Sequence, residues 1–178
     1  MREVSIFYLL LHPRPAYVIG SGAVGEKVNF MAASWVTPIA EEPPLVGVAI
    51  DVNSYTHELI EKYLEFTVNI LPLGMINHIY FYGSVSGREK DKSSHLPYKK
   101  GEKVRAPVLT DAIGVLECRV TEKIHARDVT FFVGEVVTAL AREDIFEDEK
   151  GWNLRATSIP LHNWGRLFYE VGRSHLVK

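Results

Sequence analysis

Two short runs in this chain carry residue types suited to holding a ligand by its polar edge and its charge. The first, Asn29-Phe30-Met31-Ala32-Ala33-Ser34-Trp35-Val36-Thr37-Pro38, sets small and hydroxyl side chains into a strand-like stretch. Small residues let a flat heterocycle come close to backbone N–H and C=O groups. The second run, Ser54-Tyr55-Thr56-His57-Glu58-Leu59-Ile60, places hydroxyls and an imidazole at a helix start. First-turn N–H groups and the helix dipole favour an anion such as phosphate there. A site for a heterocycle joined to a phosphate points to a nucleotide-like cofactor. Each run alone has a plainer reading. Small residues arise wherever a strand packs tightly, and Thr56 and His57 can be ordinary capping groups. Taken together, the two runs favour the ligand.

The elements that must position these residues follow from the pattern. Ala16–Ile19 and Val28–Val36 read as strands on either side of a glycine-rich stretch. Leu45–Ile50 is apolar on both faces and reads as a buried strand. Ser54 or Thr56 can cap a helix whose Leu59, Ile60, Tyr63 and Leu64 face one way. Phe66–Ile70 is a further strand stopped by Pro72, and Ile76–Tyr82 a short helix. The polar segment Gly83–Lys103 is long for a loop, which marks it as functional. Leu116, Cys118 and Val120 alternate with Glu117, Arg119 and Thr121 along Val115–His125, and Arg127-Asp128 turns the chain into Thr130–Leu140. The pattern predicts a mainly β protein, a β-barrel with short helices, in one domain spanning residues 1–178.

Gly20-Ser21-Gly22-Ala23-Val24-Gly25 matches the dinucleotide pattern G-x-G-x-x-G. That fold requires a helix to begin inside the motif. Here β-leaning residues and Pro38 follow instead, so the stretch is expected to be a hairpin turn needing positive φ.

Composition narrows the function classes. A net charge of −2 gives no electrostatic footprint for nucleic acid. No apolar run reaches membrane-spanning length, and the apolar N-terminal stretch ends at His12-Pro13 without a small-residue cleavage site, so it is expected to be packed structure. The single cysteine, Cys118, fits a cytoplasmic setting and a buried apolar thiol. His12, His78, His95 and His175 show no ligand spacing and read as surface or capping residues. Motifs for serine hydrolases, zinc proteases and phosphate loops do not occur, which suits a protein whose cofactor carries the chemistry.

The order Pro13-Arg14-Pro15, Asn29 through Pro38, Pro43-Pro44-Leu45, Ser54-Tyr55-Thr56-His57, Asn69, Gly83-Ser84-Val85-Ser86-Gly87-Arg88 with Asp91-Lys92, and Glu117-Cys118 resembles the flavin reductase-like family that includes flavoredoxins. The resemblance covers roughly residues 8 to 140. It implies an FMN-binding split β-barrel, commonly a homodimer, reducing flavin with NADH or NADPH and passing electrons to a flavin, a metal or a redox partner protein. A non-catalytic electron carrier of flavoredoxin type is the alternative. Carried over, the motifs imply Asn29, Met31, Ala32, Ala33, Ser34 and Trp35 along the flavin ring. They imply Ser54, Thr56 and His57 at the phosphate, and Ser86, Gly87 and Lys92 at the phosphate or ring. Lys92 also reads as a solvated charge. Trp164 reads first as a core aromatic and second as a lid over the flavin. The chain departs from the family at Val129, where many relatives have histidine, and in Leu161–Arg166.

Overall fold

A computed structural model of the chain describes residues 1–175 and 177. After a five-residue 3-10 helix at Phe7–Leu11, the strands are β1 (Arg14–Pro15), β2 (Tyr17–Gly22), β3 (Val28–Ala33), β4 (Val36–Ala40) and β5 (Leu45–Asp51). Helix α1 (Tyr55–Tyr63), β6 (Glu65–Ile70) and α2 (Ile76–Ser84) follow. The remaining strands are β7 (Tyr98–Lys100), β8 (Pro107–Leu109), β9 (Gly114–Ala126), β10 (Val129–Ala141), β11 (Phe146–Glu147), β12 (Gly151–Trp152), β13 (Leu161–Trp164) and β14 (Leu167–Tyr169).

Seven strands form one antiparallel sheet in the order β3-β2-β6-β9-β10-β5-β4. The edge strands β3 and β4 are joined by Ser34 and Trp35 alone. Two linking residues span no more than about 11 Å, so the two edges must come together and the sheet curls into a barrel. No ladder pairs β3 with β4, which leaves the barrel split along that seam. The sequence pattern reads Val28–Val36 as one strand; the chain breaks at Ser34-Trp35 because it must leave one edge and enter the other.

The barrel interior is packed with Ile19, Val48, Ile50, Phe66, Val68, Cys118 and Phe132. Cys118 is fully buried, and burial pushes its thiol above the ordinary range. Helix α1 caps the barrel with Ile60, whose burial is worth roughly 1.5–3 kcal/mol. Helix α2 lies outside, where Ile79 and Tyr82 pack on Phe30 of β3. The glycine-rich stretch is the β2–β3 hairpin, as the sequence pattern predicts. Gly22 and Gly25 both sit at φ +94°, and a Cβ on Gly22 would fall 1.9 Å from the Lys27 carbonyl.

The N-terminal helix packs only in part: Tyr8 is half-buried against Trp35 and Trp164, while Phe7, Leu10 and Leu11 are exposed. The C-terminal aromatics also divide. Trp152 packs edge-on against Phe146, with ring centroids 5.0 Å apart. Trp164 and Phe168 belong to the β13–β14 hairpin, which pairs with β1. Among the described residues, no helix is long and apolar enough to cross a membrane.

Candidate functional site

The site is a groove built where β3, the start of α1, the end of α2 and the loop after it converge. Ser54 caps α1, its Oγ accepting from the His57 N–H at 3.1 Å. The N–H groups of Tyr55 and Thr56 lie in the first turn, where helical geometry gives them no carbonyl four residues back. Thr56 is buried beneath them, and its hydroxyl accepts from the Asn29 carboxamide at 2.8 Å. The β3 strand and the α1 cap are thereby locked together.

Opposite this corner, the loop after α2 folds back so that Lys92 is only 3% exposed. Its Nζ donates to the carbonyls of Tyr82 at 3.1 Å and Val85 at 2.9 Å, at the negative end of α2. No carboxylate pairs with it among the described residues. Burial lowers its pKa to about 8. A buried cation satisfied only by carbonyls is incompletely compensated, and it faces a cleft of about 270 Å³ lined by Asn29, Met31, Ser54, Thr56, Ser86 and Gly87. Gly87 is part of the cradle, since a Cβ there would fall 2.2 Å from the Asn29 Oδ1.

Gly83 and Ser84 form a wall shared with a second cleft of about 510 Å³. It is lined by Ala32, Ala33 and Ser34 from β3 and its link, by Ile79 and Tyr80 of α2, and by His162, Trp164, Gly165 and Phe168 of the β13–β14 hairpin. A Cβ on Gly83 would meet that of Ala32 at 3.2 Å, so small residues on both elements keep this part narrow. The groove as a whole is an apolar slot opening into a cationic, hydroxyl-lined corner. It suits a planar ring system carrying a phosphate.

The structure therefore brings together Asn29, Met31, Ala32, Ala33, Ser34, Ser54, Thr56, Ser86, Gly87, Lys92 and Trp164. Trp164 is 51% exposed, so the core reading is corrected. Trp35 lies outside both clefts, its ring edge-on to Tyr8 at 5.7 Å. His57 is also outside. Its Nε2 is bonded to the buried Thr130 hydroxyl on β10 at 2.8 Å, and its ring packs on Phe132. The next residue after Thr56 is turned about 100° around the helix, which points His57 at the barrel rather than the cleft. Burial lowers its pKa, partly offset by Glu61.

Sequence reasoning missed Tyr82, Ser84, His162 and Gly165, which also line the groove. The glycine between Trp164 and Arg166 was the available signal, since Gly165 at φ +55° makes the β13–β14 turn.

The flavin reductase like domain profile matches residues 9–172. This chain belongs to that family. An uncharacterized protein of Pyrococcus abyssi is 35% identical over 157 residues, covering 88% of the flavin reductase-like chain and 90% of the relative. Among solved structures, an FMN-binding protein from Thermus thermophilus superposes with a TM-score of 0.86 at 29% identity, covering 100% of this chain and 97% of that one. A flavoredoxin from Methanosarcina acetivorans gives a TM-score of 0.85 at 29% identity, covering 99% and 92% respectively. The split-barrel fold is thus shared along the whole chain.

Proposed function

We propose that this flavin reductase-like chain binds FMN along the groove and reduces it with NADH or NADPH. A flavin, a metal or a partner protein would then take the electrons. The observation that carries the reading is Lys92, a buried cation paired with no carboxylate among the described residues, at the hydroxyl-lined end of an apolar slot. Lys92, Ser54, Thr56, Ser86 and the first-turn N–H groups of α1 would hold the phosphate. Asn29 and the strand edge from Met31 to Ser34 would meet the polar edge of the ring, with Trp164 over its face. Bound flavin would supply the hydride and electron chemistry. The protein's part is to fix ring position and exclude water, which hydride transfer requires more than an acid or base.

A flavoredoxin-type carrier is the second reading, supported by the 29% identity to a flavoredoxin over nearly the whole chain. Both readings predict a yellow protein that releases FMN on heating. Reduction by NADPH in a stopped-flow instrument separates them: fast bleaching of the flavin band supports the reductase, and an inert flavin the carrier. A colourless protein that takes up no FMN would reject both.

Thr56→Ala is expected to weaken FMN binding by about 1–2 kcal/mol, because it removes a hydroxyl from the cleft and the partner of Asn29. His57→Ala is expected to leave FMN affinity within about 0.5 kcal/mol while lowering stability through the lost Thr130 bond. Flavin fluorescence titration of both variants checks this. A larger loss of affinity in the His57 variant would return the imidazole to the phosphate site.

The groove borders exposed Trp35 and Trp164, both packed around Tyr8, with Phe7, Leu10 and Leu11 exposed on the adjoining segment. Aromatic surface of this kind is enriched at interfaces, and it supports a homodimer with two-fold symmetry. Light scattering at micromolar concentration is expected to return twice the 20.1 kDa chain mass.

A further inference from the structure

We propose that His78 and His95 form a positioning latch for Lys92, closed while the pair carries at most one positive charge and opened when both rings are charged. The latch concerns the loop's attachment to α2, and its effect on ligand binding rests on Lys92 holding the FMN phosphate. The histidines are not the plain surface or capping residues that the sequence suggests. His78 lies on α2, and its Nδ1 is 3.0 Å from the Nε2 of His95 on the loop. The His95 ring stacks on Phe81 with centroids 3.8 Å apart and meets Tyr82 edge-on at 5.4 Å. The same turn carries Lys92, closed by the His95 N–H donating to the Lys92 carbonyl at 3.2 Å. One short turn thus grips α2 twice, by Lys92 at the helix end and by His95 at the aromatic face.

Two ring nitrogens at this separation are bonded only if one carries hydrogen and the other a lone pair. A neutral pair meets that condition, and so does a pair holding one extra proton. When both rings are charged, each of the facing nitrogens carries hydrogen, no acceptor remains, and like charges face one another. The groups acting on His95 are His78 on α2 and Lys90 on its own loop, with no carboxylate among them. The third neighbour, Tyr82, is kept neutral by burial. Burial first, then His78, then Lys90 hold His95 below the ordinary imidazole range. The sign follows. The closed latch is fully present above the ordinary imidazole pKa, and it is lost as pH falls through the depressed value.

The test uses the full chain and its His95→Gln variant, whose carboxamide keeps a donor and an acceptor but does not titrate. FMN affinity is measured at about pH 7.5 and about pH 4.5, above and well below the ordinary imidazole pKa, so that a depressed group is also crossed. Amide protection of residues 86–96 is followed in flavin-free protein at the same two values. A phosphate monoester itself loses charge near pH 6, so the variant supplies the baseline. On acidification the wild-type chain is expected to lose about five-fold more affinity than His95→Gln, the worth of one hydrogen bond. Protection of the 86–96 segment is expected to fall in the wild type alone. His78→Gln must flatten both responses in the same way. Identical pH responses in wild type and variants would overturn the latch. Failure of every form to bind FMN at about pH 7.5 would reject the phosphate role of Lys92, while the exchange measurement would still decide the latch.

Discussion

Lys92→Met is expected to weaken FMN binding by about 2–3 kcal/mol, roughly 30- to 150-fold, the worth of a charge-assisted bond in a buried site. The chain should still fold, because methionine keeps the packing of the stem. The pH dependence is more telling than the loss itself. Burial lowers the Lys92 pKa to about 8, so above that value the flavin-free protein holds a neutral amine. Phosphate binding must then bring a proton with it. Affinity should fall by up to about ten-fold per pH unit from about pH 8 towards the ordinary lysine value. A depressed pKa also means that the flavin-free fold gains stability as pH rises through this window and loses it as pH falls through about 8. Flavin titrations between about pH 7 and about pH 10 check the slope. Its absence in the wild type, or its persistence in Lys92→Met, would place the anion elsewhere.

Glu117→Ala is expected to cost about 3–5 kcal/mol of stability, or about 10 °C in Tm, without touching the groove. Glu117 is 1% exposed, and its carboxylate accepts the N–H groups of Glu102 at 2.7 Å, Lys103 at 2.7 Å and Val104 at 3.2 Å. It ties down the whole turn between β7 and β8. Truncation leaves three donors to find other partners, and Val104 is itself buried. Glu117→Gln should cost less, since one oxygen still accepts. Thermal unfolding of the two variants tests this. A cost under about 1 kcal/mol for alanine would mean that water satisfies the turn.

The legible parts of this molecule are those set by local chemistry. Ser54 followed by an amphipathic run marks the start of α1, and Arg127-Asp128 between alternating runs marks the β9–β10 hairpin. The missed parts depend on contacts between distant segments. Lys92 sits among Lys90, Asp91 and Ser93, so its local sequence reads equally as a solvated charge, and only the family resemblance points it at the phosphate or ring. Its burial follows from the loop folding onto the end of α2. His78 and His95 lie 17 residues apart and look unrelated until that same fold pairs them. Glu117 occupies the polar phase of an alternating strand, the face that ordinarily meets water, but here the 101–106 turn covers it. The imidazole at the helix start and the family motif both point His57 at the phosphate, whereas helical rotation sends its side chain away from that of Thr56.

The two-residue link across the seam makes barrel girth and slot width a single mechanical coordinate. Ala32, Ala33 and Ser34 line one side of the slot, while Trp35 is moored to β5 through the Ala49 N–H at 3.0 Å. If the opposite wall of the barrel expands, the link carries the edge strand with it and the gap beneath Trp164 changes. Substitutions at Val48 or Phe132 in the barrel core, which do not line the cleft, are therefore expected to change that gap. The spacing of this slot is expected to follow the circumference of the cylinder as well as the residues that line it.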